Sequence, residues 1–397
     1  LNNIPAIIQN MGETKPVRHL VQHTYSAQYF QEYDAVQDHV QGLARLSDGR
    51  YVYSHSGLTS NGYGLLAFTR PNETAAFKKV GYKQSHPSAI QACGNIVAVP
   101  AGEDKLDDIK VSIHFYDATN PDDPIELTHL KLSGLDDRYD AVGLVYNEAK
   151  QCHYLTVSTG REHGLPGGGL SLYKSNGLPL TDEDCHFDYQ QSFNTFTSAS
   201  GYNLLYDVSG DMYGVALYRT DEIVDAEERL RLTRFEWDAG AGNFTLTENV
   251  ADILLSLTDY NTASTPGFRW GGTIVPTSRN SVEIIGSARL LCAGPAAPYN
   301  VIKIWSGRNQ LEDCRKYSEV CWLTSHNATV STHYGYSAAS FGQAEDLDTQ
   351  LDGGVRAFTF DCWSQTSLNA PNASAAYYEL RDQQMIPDMV YAFSNPR

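Results

Sequence analysis

Methionine and long apolar runs are scarce in this chain of 397 residues. It holds only 4 Met, and no apolar run approaches the roughly 18 residues that a membrane-spanning helix needs. The first residues also lack the charged and apolar regions of a signal peptide. We therefore expect a soluble chain in its mature form, with no membrane partner.

Positively charged residues are also scarce. Lys and Arg number 29 against 47 Asp and Glu, which gives a formal net charge of -18. Such a field repels nucleic acid unless a local basic patch overcomes it, and no run of Lys or Arg supplies one. Nucleic acid is therefore excluded as an expected partner.

Cysteine is sparse and odd in number, with 7 residues. Cys314 and Cys321 are close enough to close a short loop as a disulfide, and Cys152 and Cys185 are available as a second pair. Cys93 lies in an apolar strand and is expected to be a buried thiol. Four glycosylation sequons occur, at Asn72, Asn243, Asn327 and Asn372. Disulfides and sequons together predict an extracellular, secreted glycoprotein.

Aromatic residues and glycine are plentiful. The chain has 25 Tyr, 14 Phe and 32 Gly, which are residues enriched in strands and turns rather than in helices. The composition therefore predicts an all-β protein.

A strand-turn-strand unit recurs along the chain. In residues 38–57, a short apolar run leads into a tight turn at 47–50, and a second run ends at His55. Similar small, Gly- or Ala-containing first strands begin near Asp38, Ser85, Tyr139, Ala199, Phe268 and His333. Their spacing of roughly 45 to 70 residues is typical of propeller blades.

These repeats predict a β-propeller of four-stranded antiparallel blades. Six blades can be counted, or seven if the termini form one. Residues 1–397 are then a single domain whose ring is closed by the N- and C-terminal strands.

The repeat also predicts where function lies. Antiparallel pairing puts the start of each first strand beside the end of the second, so these ends share one face around the ring. His39 and His55 should therefore be neighbours. The residues collected on this face are His39, His55, His86, Glu103, Tyr139, Asp140, Arg161, His163, Tyr202, Arg219, Arg269, Arg289, His333, Tyr334 and Asp361. Cationic and imidazole groups gathered on one face of an acidic chain indicate an anionic ligand.

His, Tyr and Arg together suit β-elimination from a uronic acid. Arg neutralises the sugar carboxylate and so acidifies the neighbouring carbon-bound proton, one His or Tyr removes that proton, and another protonates the leaving oxygen. The catalytic candidates are His86, His39, His55, Tyr139 and Tyr202. The substrate-binding candidates are Arg161, His163, Arg219, Arg269 and Arg289.

Other interpretations of these residues remain open. His39, His55 and Asp140 suit a metal site, so a single divalent cation, calcium or zinc, in or near the channel is an alternative to a cofactor-free reaction. Arg219 and Arg289 would otherwise pair with nearby acids, and Tyr202 would pack. Hydrolysis needs two carboxylates, for which the candidates are Glu103, Asp140 and Asp361.

A secreted-type propeller with His86, His39, His55 and several Arg on one face resembles the propeller polysaccharide lyases. These include ulvan lyases and the fungal lyase that acts on rhamnosyl-glucuronate ends of gum arabic. The resemblance implies a propeller, generally of seven blades, and β-elimination with or without metal. It matches His86 to a catalytic His at the head of an inner strand.

The sequence therefore predicts a secreted, monomeric lyase that cleaves an acidic polysaccharide or oligosaccharide next to glucuronate. A carbohydrate-binding propeller without catalysis and a glycoside hydrolase are the alternatives. A lectin would repeat one site in each blade, whereas the face residues here differ between repeats.

Overall fold

The structure of the chain is a computed structural model. It describes residues 1–13, 16–22, 40–56, 63–70, 73–81, 84–102, 111–135, 139–159, 168–196, 199, 201–220, 226–257, 267–288, 299–308, 324–326 and 357–359. The chain divides into two compact units, Leu1–Asp313 and Cys314–Arg397. The described part of the second unit is a parallel pair of short strands, Thr324–His326 and Ala357–Thr359.

The first unit opens with a short helix, α1 (Ile4–Gln9). The Asn3 side chain caps it by accepting a hydrogen bond from the backbone N–H of Ala6 at 3.1 Å, which satisfies one of the unpaired donors of the first turn. A 3-10 turn, Asn10–Glu13, follows. Ile4, Ile7 and Ile8 are fully buried, so the helix is anchored by its apolar side.

Strands make up most of the rest of the unit, and they group into five antiparallel sheets among the described residues. Blade 1 contains β2 (Val40–Arg45), β3 (Tyr51–His55), β4 (Gly64–Arg70) and β5 (Glu73–Val80). Blade 2 contains β6 (His86–Pro87), β7 (Gln91–Cys93), β8 (Ile96–Gly102), β9 (Val111–Asp117), β10 (Ile125–Glu126) and β11 (Leu132–Leu135), with a 3-10 turn at Thr128–Leu130.

The remaining blades follow the same pattern. Blade 3 contains β12 (Tyr139–Asn147), β13 (Cys152–Thr159), β14 (Gly168–Ser175) and β15 (Phe187–Phe196). Blade 4 contains β16 (Gly201–Tyr206), β17 (Met212–Arg219), β18 (Glu227–Asp238) and β19 (Asn243–Leu257). Blade 5 contains β20 (Gly267–Ser278), β21 (Ser281–Ser287), β22 (Tyr299–Arg308) and, as its outer strand, β1 (Val17–Gln22).

The five blades close into a ring. The inner strands contact one another in the order β2, β7, β12, β16, β20, and β20 returns to β2. Apolar side chains fill the space between neighbouring sheets, including the fully buried Phe268 and Trp305 of blade 5. The protein is a β-propeller, as the sequence predicted.

Glycine lets the inner strands approach each other closely. A Cβ added to Gly271 would lie 2.9 Å from the Cα of Gly42, and one added to Gly201 would lie 2.6 Å from the carbonyl oxygen of Gly272. These distances leave no room for a side chain, which explains why the first strand of each repeat contains small residues.

The number of blades differs from the count made from the sequence. Five predicted first strands become the inner strands β2, β6 with β7, β12, β16 and β20, whereas the sixth, near His333, lies outside the described residues. The N-terminal strand β1 pairs with β22 and completes blade 5 rather than starting a blade of its own. The predicted role of the C-terminal strands also falls outside the described residues, so the single-domain prediction stays a prediction.

The cysteine predictions need one correction. Cys152 and Cys185 are free thiols that lie in two different hydrophobic clusters, so they do not form the second disulfide. Cys93 is also free and is half-buried rather than fully buried. Cys314 and Cys321 lie outside the described residues.

In the described part of the chain, no helix has the length and hydropathy to cross a membrane.

Candidate functional site

The inner strands all begin at the same end of the ring, which we call the mouth of the ring. There, Val40 at the start of β2 pairs with His55 at the end of β3, and His86 at the start of β6 pairs with Gly102 at the end of β8. Strand β6 also contacts β2 and β3. The antiparallel rule thus brings His55 and His86 to neighbouring strands at the mouth.

His86 is held by a residue of blade 1. Its Nε2 lies 2.8 Å from Nε2 of Gln41, and because an amide NH2 group only donates, the ring nitrogen accepts this hydrogen bond. The neutral imidazole therefore carries its proton on Nδ1. The imidazole is half-buried, which leaves part of it open to the mouth.

His55 is held through its other ring nitrogen. Its Nδ1 lies 2.8 Å from the carbonyl oxygen of Ser56, and since a carbonyl only accepts, Nδ1 donates. The basic nitrogen of the neutral ring is therefore Nε2. The ring is 3% exposed, so its orientation is fixed by packing as well as by the hydrogen bond.

Blade 5 contributes a cation to the mouth. The residues between Gly267 and Gly272 bulge out of the β20–β21 ladder, so that Arg269 is exposed. Its guanidinium carbon lies 4.9 Å from the centre of the Trp270 ring, and the Trp270 carbonyl accepts a hydrogen bond from Ser287 at 2.8 Å. Arg269 is thus supported on an aromatic face while its donors stay open to solvent.

Two other candidates lie in less open positions. Tyr202 of β16 is 1% exposed and packs in the core between blades, where burial raises the pKa of its hydroxyl. That position suits packing, the alternative considered from the sequence. Arg219 is half-buried, and its backbone lies opposite Glu228 in the register of β17 and β18. Its role, in substrate binding or in pairing with an acid, stays a prediction.

The remaining candidates lie partly or wholly outside the described residues. Tyr139 and Asp140 begin β12, where Tyr139 pairs with Thr159, but their side chains are outside the described part. The candidates that lie wholly outside are His39, Glu103, Arg161, His163, Arg289, His333, Tyr334 and Asp361. Of the sequons, Asn243 is exposed at the start of β19, and Asn72, Asn327 and Asn372 fall outside.

No metal cluster is found among the described residues: no three His, Cys, Asp or Glu side chains there converge on one point. His39 and the Asp140 side chain, two of the three predicted ligands, are outside that part of the chain. The calcium or zinc ion therefore stays a prediction. His55 is the one predicted ligand whose side chain the structure describes.

A buried carboxyl behind the mouth was not anticipated. Glu228 is fully buried, and its Oε2 accepts a hydrogen bond from the backbone N–H of Phe268 at 2.7 Å. Within the described structure its Oε1 has no hydrogen-bond partner. Burial raises the pKa of this carboxyl from 4.5 to about 7, against the opposing effects of the Phe268 hydrogen bond, Lys303 and Arg219.

Glu228→Gln is expected to stabilise the protein at alkaline pH. A carboxyl whose pKa is raised on folding contributes stability that is present below pH 4.5 and lost as pH rises through about 7. At about 1.36 kcal/mol per pKa unit, removing the charge is worth about 3 kcal/mol at pH 8 and almost nothing at pH 4.5. Denaturant unfolding of both proteins across this pH range measures the difference.

Glu227→Gln is the matched control for this variant. Glu227 is the adjacent residue, half-buried and ion-paired with Arg229 at 2.6 Å, so its loss costs up to about 1 kcal/mol and gives no stabilisation above pH 7. Equal pH dependence of Glu228→Gln and the unmodified protein would show that folding does not raise the pKa of this carboxyl.

Three residues near the mouth escaped the sequence interpretation. Gln41 begins an inner strand, so the same rule would have found it if amides had been considered. Trp270 adjoins a residue that was selected. Glu228 is detectable from alternation, because Glu228, Leu230 and Leu232 occupy every second position and all three are buried.

Comparison with protein-family models and with curated proteins gives no match. Among solved structures, a GH32 beta-fructofuranosidase of Bombyx mori is 9% identical with a TM-score of 0.39, over 66% of this chain and 60% of that chain. This chain therefore spans less than two thirds of that enzyme.

Two further structures are similar at the same level. An N-acetylgalactosamine deacetylase from F. plautii is 11% identical with a TM-score of 0.43, over 75% of this chain and 95% of that one. A mannose phosphorylase from Leishmania mexicana is 12% identical with a TM-score of 0.37, over 73% and 88%. All three are carbohydrate-processing enzymes by name, but at these identities and TM-scores none of their activities extends to this chain.

Proposed function

We propose that the protein is a carbohydrate-processing enzyme, and that its reaction is β-elimination next to a uronic acid, such as glucuronate, in an acidic polysaccharide or oligosaccharide. The observation that carries this proposal is the pair of imidazoles at the mouth, each held by a hydrogen bond at one ring nitrogen. His55 bonds through Nδ1 and His86 through Nε2. In their neutral forms, both rings therefore carry their proton on Nδ1, and each is held in a fixed orientation.

The reaction assigns these groups complementary roles. Arg269 binds the uronate carboxylate and stabilises the negative charge that develops when the proton on C5 is removed. Neutral His55 is the candidate to accept that proton. The electron pair of the C5–H bond forms the C4–C5 double bond, the C4–O bond breaks, and the leaving oxygen takes a proton from protonated His86 or from Tyr139.

The described mouth also differs from blade to blade. Blade 1 provides Gln41 and His55, blade 2 provides His86, and blade 5 provides Arg269 beside Trp270. A repeated lectin site would require equivalent groups in each blade, so this asymmetry favours one catalytic centre over repeated sugar sites.

The setting of the reaction belongs to the proposal as well. We propose that the enzyme is monomeric. We also place it outside the cell because of its sequons, of which Asn243 is exposed. The free Cys93, Cys152 and Cys185 neither require nor form a disulfide among themselves. A divalent cation is not needed for the chemistry of the described residues.

A panel of polymers tests the proposal. Glucuronate-containing polymers such as gum arabic and ulvan are incubated with the protein, with and without a chelator, and the ultraviolet absorbance of the unsaturated uronate is followed. We expect absorbance to rise with both, and not with the same polymers after chemical reduction of their carboxyl groups. A rise in reducing ends without ultraviolet absorbance would favour a hydrolase, and binding without either product would favour a lectin.

A further inference from the structure

A pocket of about 320 Å³ opens between blades 3 and 4, near the ends of the inner strands and therefore at the opposite end of the ring from the mouth. Its apolar floor is built from Tyr154, Met212 and Phe235, all buried. Its rim is polar. The rim side chains come from Lys150, Lys174, Gln190 and Asp211, and the buried Asn147 also lines the pocket.

Trp237 forms one wall of the pocket and is unusually open for its size. It is 53% exposed, yet its ring packs against Phe244 with centroids 5.0 Å apart. Phe244 in turn contacts Tyr154 at 5.8 Å. An exposed aromatic face that is held by packing is a platform for the apolar face of a sugar ring, because little conformational entropy is lost when the sugar binds.

The wall is also fixed by hydrogen bonds between the blades. The side chain of Gln191 in blade 3 donates to the carbonyl of Phe244 and accepts from its N–H, both at 2.7 Å. Phe193 of blade 3 packs edge-on against Phe235 at 5.7 Å. The two sides of the pocket are therefore held together, so the pocket is largely preformed.

The charge of the pocket is opposite to that of the chain. Lys150 and Lys174 both line the pocket. Burial raises the pKa of the neighbouring Cys152 thiol, and the charges of Lys174 and Lys150 act in the opposite direction. Neither Lys has an ion-pair partner in the described part of the chain. The lining carboxylate, Asp211, pairs with Arg234 at 2.7 Å, so its charge is already compensated. Two cations in one pocket of an acidic protein favour the binding of an anion there.

We propose that this pocket binds a uronate-containing oligosaccharide, with one sugar ring on Trp237 and its carboxylate between Lys150 and Lys174. The exposed Gln190 amide provides a donor and an acceptor for hydroxyl groups. The site is formed by its own residues and is independent of the chemistry at the mouth. In a protein that degrades an acidic polymer, it would hold the chain away from the reacting bond.

Calorimetry with a glucuronate-containing oligosaccharide and its carboxyl-reduced counterpart tests this site. We expect Trp237→Ala, and separately the double variant Lys150→Gln with Lys174→Gln, to weaken one class of binding site at least about 10-fold. The matched controls are Ile125→Ala, which truncates an apolar side chain that is 59% exposed, and Lys131→Gln, which removes one exposed positive charge from blade 2. Both should leave the isotherm unchanged.

Two results would overturn the proposal. One is an isotherm that neither Trp237→Ala nor the double Lys variant alters, including the case in which the unmodified protein does not bind. The other is equal binding of the carboxyl-reduced oligosaccharide at this site. His86→Ala should keep the Trp237-dependent binding, so the site can stand even if the polymer panel shows no elimination, and elimination can occur even if this site fails.

Discussion

His86→Ala is expected to lower the initial rate of uronate elimination by about 10²–10⁴-fold, the range typical of losing a general acid or base. The imidazole bonds to Gln41 at 2.8 Å and is half-buried at the mouth, and Ala leaves no group there that can transfer a proton. Because the carboxylate is bound by Arg269 in the proposed reaction, KM should change much less than kcat. Initial rates from the ultraviolet absorbance of the product measure both.

His186→Ala is the matched control. His186 lies in the turn between β14 and β15, its side chain is 56% exposed, and it lies 3.8 Å from Asp188, at the end of the ring away from the mouth. This variant should retain the unmodified rate. If His86→Ala unfolds at the same denaturant concentration as the unmodified protein and retains its rate, His86 has no role in proton transfer.

Gly271→Ala is expected to have the largest effect on stability, a loss of about 3 kcal/mol or more. Gly271 has a φ of +113°, which L-residues rarely adopt. The new Cβ would also lie within 3.1 Å of the N, Cα and C atoms of Gly42. Because those are backbone atoms of the neighbouring inner strand, relief requires β2 and β20 to separate at the ring closure. Denaturant unfolding measures the loss.

Gly94→Ala separates the cost of the positive φ from the cost of the steric clash. Gly94 has a φ of +64° in the β7–β8 turn, but a Cβ there would have no atom within 4 Å. This substitution should lower the free energy of unfolding only by the cost of the left-handed backbone conformation, about 1–2 kcal/mol. Equal losses for the two variants would mean that the inner strands of blades 1 and 5 are not in contact.

Much of the fold follows from local patterns. The small strands that begin near Asp38, Ser85, Tyr139, Ala199 and Phe268 are recognisable because alternation and tight turns are encoded within a few residues. The number of blades depends instead on β20 meeting β2, which lie more than 200 residues apart in sequence. No local signal specifies where a ring closes.

The site was predictable in position rather than in full composition. Pairing of strand ends located His55 and His86, since it depends only on the direction of the strands. The same rule placed Tyr202 at the mouth, but its side chain lies in the core. Neighbouring residues on a strand face opposite sides, so a shift of one position decides whether a side chain is buried. Alternation places Glu228 on the buried side of β18, but its hydrogen bond to Phe268 of blade 5 depends on how the blades pack.

The mass of the product released from a glucuronate-containing oligosaccharide tests the central claim most directly. Elimination breaks the C4–O bond without adding water, so the account predicts a fragment that is one water lighter than its hydrolytic counterpart and absorbs in the ultraviolet. His86→Ala should release it far more slowly. A saturated fragment of full hydrolytic mass, formed at the same rate by His86→Ala, would contradict the account.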